Sequence, residues 1–125
     1  MGRGQDTGVL IVDDEEDMRA LLRSTIEIAN EGLRVAGEAV DGEQAVATWR
    51  ETQPAIVVLD QRMPGASGLE VAQQILAEHP EQTIVLFTAF LDDAIRRSAR
   101  RLGISVLAKQ DIQRLPQTLW DLEAS

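Results

Sequence analysis

Asp13, Asp14, Asp60, Thr88 and Lys109 are the residues of this chain whose types and positions could act together chemically. Each follows a short apolar run. Asp13-Asp14-Glu15 follows Val9–Val12, and Asp60 follows Ala55–Leu59. Thr88-Ala89 follows Thr83–Phe87, and Lys109 follows Ile104–Ala108. In an open parallel sheet the carboxyl ends of the strands share one edge, and ligands bind there, where the strand order reverses. Three carboxylates gathered at that edge repel one another, so they either stay protonated or hold a cation. Mg²⁺ suits them, because it takes oxygen ligands and keeps several waters. Asp60 could then act as a nucleophile toward phosphorus. Thr88 could donate its hydroxyl to a phosphoryl oxygen, and Lys109 could pair with the charge as a point cation. Phosphoryl transfer asks a protein mainly for positioning and charge neutralisation, and these are the parts it needs.

The elements that must position these residues are legible in the apolar pattern. Strands are expected at Val9–Val12, Leu33–Val40, Ala55–Leu59, Thr83–Phe87 and Ile104–Ala108. Helical spacing separates them. Met18, Leu21, Leu22, Thr25, Ile26 and Ala29 lie on one helix face, and Ala45, Val46 and Trp49 on a second. Leu69, Ala72, Ile75 and Leu76 mark a third helix, and Ala94, Ile95, Ala99 and Leu102 a fourth. A short last helix is expected over about Pro116–Ala124, with Pro116 in its first turn. Asp41-Gly42 reads as a turn and cap, Gly32 and Gly103 as helix stops, and His79-Pro80 as the end of the third helix. Strand–helix alternation implies a parallel sheet covered on both faces. The second strand carries Arg34 and Glu38, so it belongs at an edge.

Composition narrows the functional classes. With 125 residues, 44% of them apolar, the chain fits one domain and one core. There are no cysteines, which excludes disulfides and thiolate metal sites. No apolar run approaches the length of a membrane span. Met1–Gly8 has three glycines and no apolar core, so it is no signal peptide, and residues 1–7 read as a flexible leader. A cytoplasmic location follows. The net charge of −9 opposes direct binding of nucleic acid, which needs Lys and Arg to displace counterions.

Taken in order, Val12-Asp13-Asp14-Glu15, Asp60-Gln61-Arg62-Met63-Pro64 with Gly68, Thr88-Ala89 and Lys109 resemble the receiver domain of bacterial two-component response regulators. The resemblance runs over roughly residues 8–124, so residues 8–125 are expected to form the receiver domain. It implies a flavodoxin-like, doubly wound sheet of five parallel strands in the order 2-1-3-4-5, with helices on both faces. It also implies roles. Asp60 would be the phosphoacceptor, Asp14 and Asp60 direct Mg²⁺ ligands, and Asp13 a ligand mostly through water. Arg62 would offer its backbone carbonyl to the metal, and Thr88 and Lys109 would bind phosphoryl oxygens. The donor would be a phosphohistidine on a sensor histidine kinase or phosphotransfer protein. The output would be an unidentified partner or a C-terminal effector domain, and a homodimer stays open.

Two positions depart from that family's pattern. Val106 stands where receivers carry Tyr or Phe, and Gln110 where proline usually follows the lysine. Neither change removes a phosphorylation residue. Both bear on the output, because the aromatic ring couples phosphorylation to the far surface, and Phe90 is the nearest candidate to replace it. A trans bond is expected before Gln110, since a cis bond to a non-proline costs about 2.5–4 kcal/mol. An interaction module with receiver fold and a weak switch is therefore a second reading. A third, a phosphatase with an Asp-x-Asp motif, fails because Arg62 holds its second acid position. Plainer accounts stand beside these. Asp13–Asp17 match a helix dipole, Thr88 is a strand-end hydroxyl, and His79 is a cap. Arg96, Arg97, Arg100 and Arg101 are a solvated helix face, with Asp92 and Asp93 four residues before the first two.

Overall fold

A computed structural model of the chain describes residues 7–29 and 32–124, with the side chain of Ala124 left aside. Strands β1 (Thr7–Val12), β2 (Leu33–Ala39), β3 (Ile56–Leu59), β4 (Thr83–Thr88) and β5 (Ser105–Ala108) alternate with helices. The helices are α1 (Glu16–Ala29), α2 (Gly42–Thr52), α3 (Gly68–Glu78), α4 (Asp93–Leu102) and α5 (Leu115–Ala124). All paired strands are parallel, in the order β2-β1-β3-β4-β5. The polar second strand is at an edge, as its sequence requires. β1 begins at Thr7, so that residue belongs to the sheet and not to the expected leader. The rest of the leader lies outside the described residues.

Period-2 alternation divides the core into two layers. Leu10, Val12, Val57, Leu59, Ile84 and Leu86 point to one face, where they meet α2, α3 and Ala99 of α4. Val9, Ile11, Ile56, Val58, Val85 and Phe87 point to the other, against Leu22 and Ile26 of α1 and Leu115 and Leu119 of α5. The central strands are apolar on both faces because helices cover both, as parallel sheets require. Trp49 and Trp120 are 8% and 6% exposed. Leu21, expected on the buried face of α1, is 47% exposed, and Ala94 is exposed on α4. Each lies at the margin of its apolar stripe, where the helix turns away from the sheet.

The helix boundaries follow local chemistry. Asp41 caps α2 by accepting from the Gln44 N–H at 2.8 Å. His79 is the C-cap of α3, and Gly103 ends α4 in the left-handed conformation at φ 75°. Asp92 caps α4, accepting from the Ile95 N–H at 2.8 Å. Among the described residues Asp92 forms no ion pair with Arg96, nor Asp93 with Arg97, although the spacing would allow both. A 3₁₀ helix over Lys109–Arg114, which the apolar pattern does not announce, joins β5 to α5. There are no cis peptide bonds among the described residues, so the bond before Gln110 is trans as expected.

Candidate phosphorylation site

Parallel register brings the strand ends to one edge. Val12 of β1 pairs with Leu59 of β3, so the residues that follow, Asp13 and Asp60, lie side by side. The Asp60 N–H donates to the Val12 carbonyl at 2.9 Å, which closes the pair. Thr88 is the last residue of β4 and pairs with Ala108, the last of β5. Lys109, one residue on, opens the 3₁₀ helix. Carboxylate oxygens of Asp13, Asp14 and Asp60 all lie within 4.8 Å of one another.

Within that cluster the three acids differ. Asp13 is fully buried and both its oxygens are engaged. One accepts the Glu15 N–H at 2.9 Å, and the other accepts the Lys109 ammonium at 2.8 Å. Asp14 is exposed at the mouth of the site. Asp60 is 5% exposed, with Lys109 Nζ 3.4 Å from its carboxylate. Burial, reinforced by the negative charge of Asp13, raises the pKa of Asp60 to about 6. The Lys109 ammonium and the Arg62 backbone N–H oppose that rise without cancelling it. At Lys109, burial acts to lower the pKa, but its hydrogen bond to Asp13 and the charges of Asp60 and Asp13 outweigh burial and leave it raised. Three carboxylates against one ammonium leave two formal negative charges.

The cleft over these groups has a volume of about 260 Å³ and is lined by Asp14, Asp60, Arg62, Thr88, Phe90 and Lys109 among others. Thr88 is 1% exposed, and its Oγ1 accepts the Phe90 N–H at 3.4 Å. As an acceptor there, it keeps its own O–H as a donor toward the cleft. The Phe90 ring is 58% exposed, with the Arg62 guanidinium 4.5 Å from its centroid. It lies at the surface, on the rim of the cleft that Thr88 also lines. Val106 is half-buried against the layer formed by α2, α3 and α4.

Several positioning residues escape a reading of strand ends. Gln61 accepts the Leu69 N–H on its side chain and the Gly68 N–H on its backbone carbonyl, both at 2.9 Å, and so ties the Asp60 loop to α3. Gly68 must be glycine, because a Cβ there would stand 2.3 Å from the Asp60 carbonyl oxygen. Ser67 and Glu70 form a reciprocal capping box that starts α3 at that point. The Ser-x-x-Glu spacing was the available signal for it. Arg19 donates to the Asp13 carbonyl at 2.7 Å and also reaches Glu38, which holds the Asp13 backbone from the α1 side. No local pattern marks that contact.

Comparison with known proteins agrees with this architecture. Residues 9–119 match the response regulator receiver domain family. The chain is 37% identical over 95 residues to the chemotaxis protein CheY of Thermotoga maritima, covering 76% of this chain and 78% of that one. It is also 37% identical over 86 residues to the response regulator GacA of Pseudomonas protegens, covering 68% of this chain but only 39% of that longer protein. A crystal structure of a LuxR-family two-component response regulator from Aurantimonas sp. SI85-9A1 superposes with a TM-score of 0.90 at 30% identity, over 96% of this chain and 86% of that one. A sheet of the expected order with acids converging at its β1–β3 edge, and a family match over most of the sequence, lead to one assignment: this chain belongs to the receiver domains of two-component response regulators, whose role is phosphoacceptor signalling.

Proposed function

We propose that Asp60 accepts a phosphoryl group from a phosphohistidine of a sensor histidine kinase or phosphotransfer protein, and that the phosphorylated domain changes its affinity for an output partner. The observation that carries this reading is the convergence of Asp13, Asp14 and Asp60 with Lys109 set between two of them. An Asp60 oxygen forms the new O–P bond as the N–P bond to the imidazole breaks, and the electron pair of that bond stays on the imidazole nitrogen. Lys109 is already within reach of Asp60 and meets the added charge, while the Thr88 hydroxyl binds a second phosphoryl oxygen. The acid set fits Mg²⁺, with hard oxygen donors, two uncompensated charges and an open cleft for waters. Asp14 and Asp60 would hold the ion directly, with the Arg62 carbonyl as a further ligand. Asp13 would act through water, since both its oxygens are engaged. When bound, the ion neutralises charge on the phosphoryl oxygens.

In this reading the domain catalyses only its own phosphorylation and dephosphorylation. It works in the cytoplasm, and no described helix is long and apolar enough to cross a membrane. It does not bind nucleic acid directly, and its output runs through a separate partner, an effector domain or a second copy. Incubation with acetyl phosphate and Mg²⁺, followed by intact-mass measurement, should show one added phosphoryl group that Asp60→Asn loses. Equal uptake by the variant would remove Asp60 as the acceptor.

Val106 favours a second reading, an interaction module whose switch is weak. An input shifts an equilibrium only through interactions that differ between the two states. Valine has short rotamers and supplies little such difference, and the exposed Phe90 ring supplies none from inside the core. With beryllofluoride at Asp60, NMR shift changes should concentrate at Thr88 and Lys109 and stay small on the face formed by α4, β5 and α5. A large far-face response in the unmodified chain would discard the weak-switch reading.

A further inference from the structure

Asp14 is a direct Mg²⁺ ligand in the function proposed above, yet no hydrogen bond or ion pair holds its carboxylate among the described residues. Its direction is therefore set by its backbone. A peptide bond is planar, so the Asp13 carbonyl, the Asp14 N–H and the Asp14 Cα share one plane. Whatever fixes the Asp13 carbonyl fixes the base from which Asp14 reaches. That carbonyl accepts the Arg19 guanidinium at 2.7 Å, from six residues along the chain.

Arg19 is itself held. Its Nε lies 3.4 Å from the Glu38 carboxylate on β2, and Glu38 also pairs with Arg23, one turn further along α1. The Arg19 side chain is 15% exposed. With Nε at Glu38 and a terminal nitrogen at Asp13, two partners fix the plane of one rigid guanidinium. The Asp13 N–H donates to the carbonyl of Ala39, the neighbour of Glu38, at 3.1 Å. The edge strand thus supports Asp13 on both sides, its N–H directly and its carbonyl through Arg19. Helix stability alone does not explain a cation here. Arg19 closes the first turn of α1, where the dipole favours the acids Glu16 and Asp17 and opposes positive charge. It also stands four residues before Arg23, a like charge on the same face.

We propose that Arg19, held by Glu38, is a positioning residue of the metal site: it orients the Asp13–Asp14 peptide so that Asp14 meets Mg²⁺ in the octahedral geometry the ion demands. This rests on the reading of Asp13, Asp14 and Asp60 as the acid set that holds the ion. Lysine at position 19 could carry the charge, but a single ammonium cannot reproduce the fork between Asp13 and Glu38. Removing a cation from beside three acids would by itself tighten Mg²⁺. Loss of positioning would weaken it. The two effects therefore have opposite signs.

The test is Mg²⁺ titration of the intact chain, read from the NMR signals of Asp14 and Asp60, with urea unfolding in EDTA beside it. Arg19→Met keeps most of the stem and removes the fork, and it should weaken Mg²⁺ about tenfold, the scale of losing a partner one step behind a ligand. Arg19→Lys should fall between that variant and the parent. Glu38→Gln should weaken Mg²⁺ by less, and adding it to Arg19→Met should cost nothing more, because it acts through Arg19. Arg50→Met, which breaks the exposed Arg50–Glu78 pair, should leave Mg²⁺ affinity unchanged and controls for the loss of an ion pair elsewhere. Acetyl phosphate labelling of Arg19→Met should slow at low Mg²⁺ and recover at saturating Mg²⁺. An Mg²⁺ affinity unchanged or raised in Arg19→Met, whatever its stability, would overturn the proposal while Asp14→Ala still weakens the ion. An Asp14→Ala variant with parental affinity would overturn the acid-set reading and this proposal with it. If Arg19→Met does not fold, Glu38→Gln decides, and parental Mg²⁺ affinity there would overturn the proposal.

Discussion

Asp60→Asn should make the metal-free domain more stable at neutral pH while abolishing its chemistry. The carboxyl titrates near 6 in the fold against an ordinary 3.8, because burial and Asp13 disfavour its charge more than Lys109 restores it. The folded state therefore binds this proton more tightly than the unfolded chain does. Stability is greatest below 3.8, falls as pH rises from 3.8 through 6, and is flat above that. The full difference corresponds to about 3 kcal/mol at pH 7. Water reaching the cleft mouth screens part of it, so the expected gain from asparagine is about 1–2 kcal/mol. For a domain of this size that is roughly 3–8 °C in Tm. Urea unfolding in EDTA, followed by fluorescence of Trp49 and Trp120 from pH 4 to 8, measures it. The two proteins should agree near pH 4 and diverge through pH 6. Saturating Mg²⁺ should then close or reverse the gap, because the cation offsets the repulsion only where Asp60 is charged. Parallel pH curves, or an asparagine variant less stable at pH 7 without metal, would refute the electrostatic account of the site.

Lys109→Met should destabilise the metal-free domain by about 3 kcal/mol, the scale of leaving a buried ion unpaired, and Mg²⁺ should recover part of the loss in urea titrations. In the parent the Lys109 charge is complete below pH 10.5 and is lost as the pH climbs through the raised Lys109 value, so the difference between the two proteins should shrink in strong alkali, and it should also shrink as the pH falls through 6 and Asp60 takes up its proton. Asp14→Ala should weaken Mg²⁺ more than any other single acid-to-alanine change outside Asp60, with little cost in stability because Asp14 is exposed; unchanged Mg²⁺ affinity by NMR titration would remove it from the ligand set. Gly68→Ala should cost about 2–3 kcal/mol by overpacking and should slow phosphorylation, since the added Cβ must displace the Asp60 backbone; a variant with parental Tm would show that the loop yields freely.

The sequence by itself determined the alternation of strands and helices, the edge place of the polar second strand and the edge where chemistry gathers. The reason is physical: strands buried on both faces must be apolar throughout, helices must show a 3.6-residue stripe, and polar groups appear where the chain leaves the core. Asp41, His79 and Gly103 were legible as caps because their work is with backbone groups a few residues away. Tertiary structure alone decided how the acids differ. Asp13 and Asp14 are adjacent in sequence, yet one is buried with both oxygens used and the other is exposed, because successive residues leaving a strand face opposite ways. The Lys109–Asp13 contact spans 96 residues and exists only because β1 and β5 end at the same edge. The outward Phe90 ring, the closeness of Gly68 to Asp60 and the 3₁₀ turn after β5 were likewise settled by how loops meet over the sheet. Loops carry no periodicity to read, and their conformation depends on neighbours far along the chain.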